Sequence, residues 1–305
     1  MARKSKIDAV LDALRAAFAG FRVSHDSVSV KRCVRGVYLA SDRAAEVTGS
    51  LSFTRPSRVF AWFSIDDLNL DQKADAHALR SVALRIGEDE CQSDILFENV
   101  PIYLARTVDQ LRTFVEARVP GPDGLPDPER IKAFSERNPE TCYRSDYLWA
   151  RARRSSSLAK TTYWGVHSFP VTDSLGETRF IKLKITPVGP ESSFRNQNIE
   201  EPASLLLEEF ESHIKKRGVR FSLLALLGGP GDNTTDVTDR WQNEDQRDAV
   251  RLGTIVITGI EPGMACKTSM SGPARLAEGI GYPLDGLFQA RWVAYKFWHG
   301  LDIEA

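Results

Sequence analysis

Seven short stretches rich in β-branched and aromatic residues are spread along almost the whole chain, and they rule out an all-helical fold. They run over Ser27 to Ala40, Val59 to Ile65, Ser81 to Ile86, Thr162 to Val171, Glu177 to Val188, Phe221 to Leu227 and Gly253 to Thr258. Apolar residues alternate in Val28, Val30 and in Ile181, Leu183, Ile185, the pattern of a sheet with one buried face. Helical spacing interrupts them. Ile7, Val10, Leu11, Leu14, Phe18 and Phe21 predict one surface helix over residues 5–21, and further helices are expected over Thr107 to Arg118, Asp127 to Arg137 and Pro202 to Arg217, the last closed by Gly218. The expected class is α+β: a largely antiparallel sheet with inserted helices in a single domain over 1–305, with no repeat and no strong internal boundary.

A chain of 305 residues can bury roughly three quarters of its unfolded surface, enough to enclose a deep cofactor pocket. Forty basic and 41 acidic residues nearly cancel, so the overall field draws the chain to no nucleic acid and to no anionic membrane. No apolar run approaches the ~20 residues of a membrane span. Cys33, Cys91, Cys142 and Cys266 are scattered without a C-x-x-C pair, and residues 1–21 lack an uninterrupted apolar core. Both features lead us to expect a cytoplasmic protein whose partners are small molecules.

Near the carboxy terminus, Arg291 stands four residues before Tyr295, so the two side chains share one helix face. A fixed cation beside a phenol favours the phenolate, the form of tyrosine that binds ferric haem iron. The run Gly279-Ile280-Gly281-Tyr282-Pro283-Leu284-Asp285-Gly286-Leu287-Phe288-Gln289-Ala290-Arg291 resembles the proximal haem segment of the haem catalases. Val166-His167-Ser168-Phe169 followed by Gly176-Glu177 is similar to the family strand whose histidine reaches behind the haem. The resemblance implies a catalase-like antiparallel β-barrel over about 22–260 and a proximal haem segment over 279–299 that carries a carboxy-terminal proximal haem helix. It makes Tyr295 the axial ligand of haem b, and His167, Asp285 and Arg291 a relay behind it.

On the opposite haem face, Arg22-Val23-Ser24-His25 resembles the motif that carries the family's essential histidine. Counting forward from His25 without a gap, the family pattern falls on Phe63-Ser64, Arg80, Ala83, Asp94, Asn99, Pro101 and Arg106. That register implies that His25 moves the peroxide proton as general acid and base. A solvent-exposed histidine after a helix is the alternative.

The same register shows departures. Glu98 stands where the family has an asparagine; if buried beside Phe97 and Tyr103, its acid form would be favoured, for proton transfer or to anchor a cationic substrate group. The alternative is a carboxylate tied to a nearby arginine as part of the fold. Trp62 replaces an arginine that pairs with a haem propionate, leaving Arg22 more of that task. Ser24 places a hydroxyl beside His25, and Tyr103 replaces a phenylalanine over the haem plane. The long arms of full catalases are absent from this chain, which implies a homodimer in place of the family's interlocked tetramer. The resulting expectation is an enzyme using hydrogen peroxide or an organic hydroperoxide to oxidise or rearrange a small organic substrate, with weak dismutation. A non-catalytic haem binder or sensor is the rival.

Overall fold

The computed structural model describes residues 5–19, 29–66, 79–123, 125–151, 157–189, 203–263, 265 and 273–299. Eight strands close into one barrel in which each pairs antiparallel with the next and the last with the first. They are β1 (Ser29–Ala40), β2 (Ser57–Asp66), β3 (Leu79–Ile86), β4 (Ser93–Glu98), β5 (Tyr163–Thr172), β6 (Thr178–Pro187), β7 (Val219–Leu227) and β8 (Ala249–Ile260). Seven match the expected stretches. β4, only six residues long and buried at every position, has no alternation to mark it. Its seam with β5 is a single register pair, Glu98 opposite Trp164.

Seven α-helices are described: α1 (Lys6–Ala19), α2 (Leu51–Thr54), α3 (Val108–Glu116), α4 (Pro128–Arg137), α5 (Tyr143–Arg151), α6 (Ala203–Arg217) and α7 (Phe288–Trp298). Local chemistry sets their ends. The Thr107 hydroxyl caps α3, Asp127 followed by Pro128 opens α4, and Gly218, at φ 71°, closes α6 by donating to the Ile214 carbonyl. α5 was not expected; its mixed sequence, Tyr143-Arg144-Ser145-Asp146-Tyr147, offers no clean apolar stripe.

Rings from non-adjacent strands meet in the barrel interior. Phe63 of β2 lies 6.0 Å from both Phe221 of β7 and Tyr163 of β5, and α6 adds Phe210 at 4.6 Å from Phe63. Since side chains alternate along a strand, Trp62 and Ser64 face outward. That outer face is covered by α7, whose apolar residues pack on two sides of the helix. Phe288, Trp292 and Tyr295 belong to the same core as Trp62, Ala83 and Leu96. Leu287, Ala290 and Ala294 pack with α1 and α3 through Val10, Leu14, Leu111 and Phe114.

Cys33, on the outer face of β1, is disulfide-bonded, whereas Cys91 and Cys142 are free thiols. The scattered spacing of the cysteines gave no sign that Cys33 is paired.

Candidate functional site

Register places four polar residues in one line across the outer face. Lys31 pairs with Ser64, Ser64 with Ser81, and Ser81 with Glu98, so their side chains stand side by side on β1, β2, β3 and β4. The Ser64 and Ser81 hydroxyls hydrogen-bond to each other. The neighbouring line holds Cys33, Trp62, Ala83 and Leu96.

α7 lies along this polar line. Near its start, Arg291 Nη2 is 3.2 Å from Glu98 Oε1, and Arg291 Nη1 donates to the Leu96 carbonyl at 3.2 Å. At its end, His299 Nε2 is 3.4 Å from Ser64 Oγ, while Lys31 Nζ donates to the His299 carbonyl at 2.7 Å. Tyr295, buried, sits between them on the same helix, its ring 4.1 Å from the His299 ring and 5.9 Å from Trp292. Lys31 Nζ also lies 5.5 Å from the Trp62 ring.

Glu98 is 5 % exposed and holds a second cation, Arg144 of α5, at 3.4 Å. Burial alone would raise its pKa, but Arg144 and Arg291 outweigh that penalty and hold the carboxyl below the usual range. Glu98 is therefore an ionised acceptor. The two arginines thus favour the ionised form over the expected acid form, and Glu98 is tied to both of them. Both guanidiniums stand over Tyr103, at 5.2 Å for Arg291 and 5.8 Å for Arg144. Burial and the Glu98 charge push the Tyr103 phenol up to about 12, so it stays protonated at neutral pH.

Behind α7, the register of β5 jumps between Gly165 and Ser168, and this bulge releases His167 from the ladder. His167 Nδ1 meets Asp285 Oδ2 at 2.9 Å. Burial lowers the His167 pKa, so a neutral imidazole with its proton on Nδ1 donates to an ionised Asp285. The other Asp285 oxygen accepts from the Leu287 backbone at 2.8 Å, immediately ahead of α7. Asp285 thus fixes both the histidine and the helix entry. Gly279 anchors the preceding segment at φ 85°, where a β-carbon would fall 2.6 Å from the Ser50 nitrogen.

The structure thus gathers Glu98, Tyr103, Arg291, Tyr295, Trp62 and Ser64 at one interface and bonds His167 to Asp285. Arg22, Ser24 and His25 lie outside the described residues. Three participants escaped the sequence reading. Lys31 and His299 were within reach, one by strand alternation and the other by helical spacing from Tyr295. Arg144 had no signal, since it meets Glu98 across a fold contact and not across a local spacing.

A sequence profile of the Catalase family matches residues 21–215. A catalase-related peroxidase of Synechococcus elongatus is 27 % identical over 295 residues, covering 94 % of this chain and 86 % of that protein. One from Mycolicibacterium paratuberculosis is 25 % identical, covering 77 % and 74 %. Among solved structures, a fungal catalase superposes with a TM-score of 0.70 at 16 % identity, and a bacterial catalase with 0.71 at 18 %. The chain covers 62 % and 56 % of those two structures, less than two thirds of the length of each.

Such relatives imply haem iron, and the donor set suits it: a buried tyrosine, an arginine one turn before it, and a histidine–aspartate pair behind. Trp62 Nε1, Trp292 Nε1 and Arg291 Nε are buried donors that meet no hydrogen-bond acceptor, as expected where a ligand is to supply one. The seating of α7 is tighter than this chemistry needs. A flat ring between helix and strands requires about 3.5–4 Å on each side. The 3.2 Å contacts of Arg291 and the 3.4 Å contact of His299 leave no such width between those pairs.

Proposed function

Since the chain belongs to the catalase family, we propose that it is a peroxidase-type haem b enzyme in which hydrogen peroxide or an organic hydroperoxide oxidises or rearranges a small organic substrate, with little dismutation. The observation that carries this reading is the pairing of buried Arg291 and Tyr295 on one helix with the His167–Asp285 bond behind it. Tyr295 would hold the iron as tyrosinate, and the Arg291 cation one turn away favours that charge. Bound haem iron supplies the redox centre at which a peroxide O–O bond is cleaved. His25 would take the proton from the peroxide and return it to the leaving oxygen, with the Ser24 hydroxyl beside it. Arg22 and the Trp62 indole would meet the haem edge, and Ser64 and Tyr103 would line its face.

Weak dismutation follows from Glu98. Closing a catalase cycle requires a second peroxide to be oriented, and an asparagine amide can donate a hydrogen bond to it. An ionised carboxylate held by Arg144 and Arg291 only accepts. We expect the active form to be a homodimer.

The close contact of Arg291 with Glu98 favours a second reading, a haem binder without turnover. Stopped-flow mixing of the haem-loaded chain with peroxide separates the two. The enzyme reading expects a rapid absorption change that His25→Ala slows by about 10²-fold or more, the usual worth of a general acid–base group. A spectrum that stays silent on mixing supports the binder, and dismutation at rates typical of catalases overturns the peroxidase ranking.

A further inference from the structure

α7 is fastened to the strand face at its two ends by opposite charges. At its carboxyl end, where helix carbonyls concentrate negative potential, the Lys31 ammonium binds the carbonyl of His299, the residue that ends the helix. Near its amino end, the Arg291 guanidinium meets Glu98. The spacing suits both at once. From residue 291 to 299 a helix rises about 12 Å, and from β1 to β4 three strand gaps span about 14 Å. Lys31 and Glu98 are the two termini of the polar line Lys31-Ser64-Ser81-Glu98, so one straight row of side chains matches one length of helix. Between the ends, Trp62, Trp292 and Tyr295 join a common apolar core.

We propose that Lys31 and Glu98 form a two-ended clamp that seats α7 on the barrel, and that its release is what admits a haem plane between helix and strands. This rests on the haem reading above. Arg144 is the support of the clamp: its charge keeps Glu98 ionised and aimed at Arg291. A cofactor that binds only the lifted arrangement has its apparent affinity reduced by the fraction of molecules so arranged. The clamp therefore governs cofactor loading, and Lys31 and Glu98 are positioning residues for it.

The test uses the full chain purified without haem, in wild-type form and as Glu98→Gln and Lys31→Met. Amide hydrogen exchange over residues 288–298 is measured first, then the rate of haem uptake by absorption after mixing with ferric protoporphyrin IX. The clamp predicts at least about tenfold faster exchange across α7 in each variant, the factor that about 1.4 kcal/mol represents, with exchange of β6, β7 and β8 unchanged. It predicts a similar gain in the rate of haem uptake. Unaltered α7 exchange and uptake in both variants would overturn it. Faster α7 exchange with no haem uptake by any of the three proteins upholds the clamp and overturns the haem reading instead. Should Glu98→Gln fail to fold, because buried Arg291 and half-buried Arg144 lose their counter-charge, Lys31→Met alone decides by the same two measurements.

Discussion

Inside the barrel, Phe63, Tyr163, Phe210 and Phe221 interlock as rings, and the polar Tyr163 hydroxyl is spent on the Leu158 carbonyl. Outside the same strands, under α7, the line is buried Ser64, Ser81 and Glu98 with half-buried Lys31 at its end, and the helix answers with Arg291 and His299. Adjacent residues of β2 supply both: Phe63 to the interior, Ser64 to the outer face. Burying polar groups costs free energy unless each finds a partner, whereas burying phenylalanine is favourable outright. The interior is thus where stability is made, and the polar face is where stability has been given up for a site.

Phe63 carries the largest expected effect. Phe63→Ala removes a ring that touches three others, and fully buried phenylalanines lose about 3–5 kcal/mol on such truncation. Urea unfolding measures it. A loss under ~1 kcal/mol would show that the interior is loosely packed and that the contrast between the two faces does not hold.

The two faces also differ in how far they could be read from the sequence. Seven strands and the helices α1, α3, α4 and α6 were legible because their alternation, caps and Gly218 are local signals. Helical spacing marked Arg291 and Tyr295 as a pair, whereas His167 and Asp285 were marked only by resemblance to family segments, and the His167–Asp285 distance agrees with that register. Glu98 was located, but its ionisation depends on Arg144, 46 positions further on, and no periodicity links the two residues. The match of Lys31 and Glu98 to the two ends of α7 needed the strand register across four strands, which side-chain alternation within single strands does not set.

The next largest effect separates the faces by pH. Burial and nearby Lys31 push His299 down to about 3, and burial also lowers His167; both imidazoles are neutral in the fold. The unfolded chain takes up their protons below about pH 6.5, the ordinary histidine value. Stability is therefore complete above pH 6.5 and falls as the pH drops toward 3. Glu98 and Asp285, whose carboxyls lie below their ordinary values, add to the loss only once the pH is under about 4.5. Two pH units below 6.5, one such histidine accounts for about 2–3 kcal/mol. Urea unfolding at pH 7 and pH 4.5 should show that loss, and His299→Gln should recover most of the share due to His299. An unchanged pH slope in His299→Gln would place the acid sensitivity elsewhere. Phe63→Ala, by contrast, should shift stability equally at both pH values, since no proton is exchanged inside the barrel.

Ser64 gives the smallest effect and the finest comparison, because it follows Phe63 in the same strand and is equally buried. Its hydroxyl joins Ser81 to the His299 ring, so Ser64→Ala leaves two buried polar groups each with one partner fewer. A neutral hydrogen bond of this kind contributes about 0.5–1.5 kcal/mol. In a protein of this size, 1 kcal/mol lowers Tm by roughly 2 °C. The informative quantity is the coupling between Ser64→Ala and His299→Gln in a double-mutant cycle. Side chains in contact couple by about 0.5 kcal/mol or more. A coupling of that size at pH 7 that fades as His299 is protonated would show that the neutral imidazole holds the end of α7 to the sheet through Ser64. Strict additivity would assign that end of the helix to Lys31 alone.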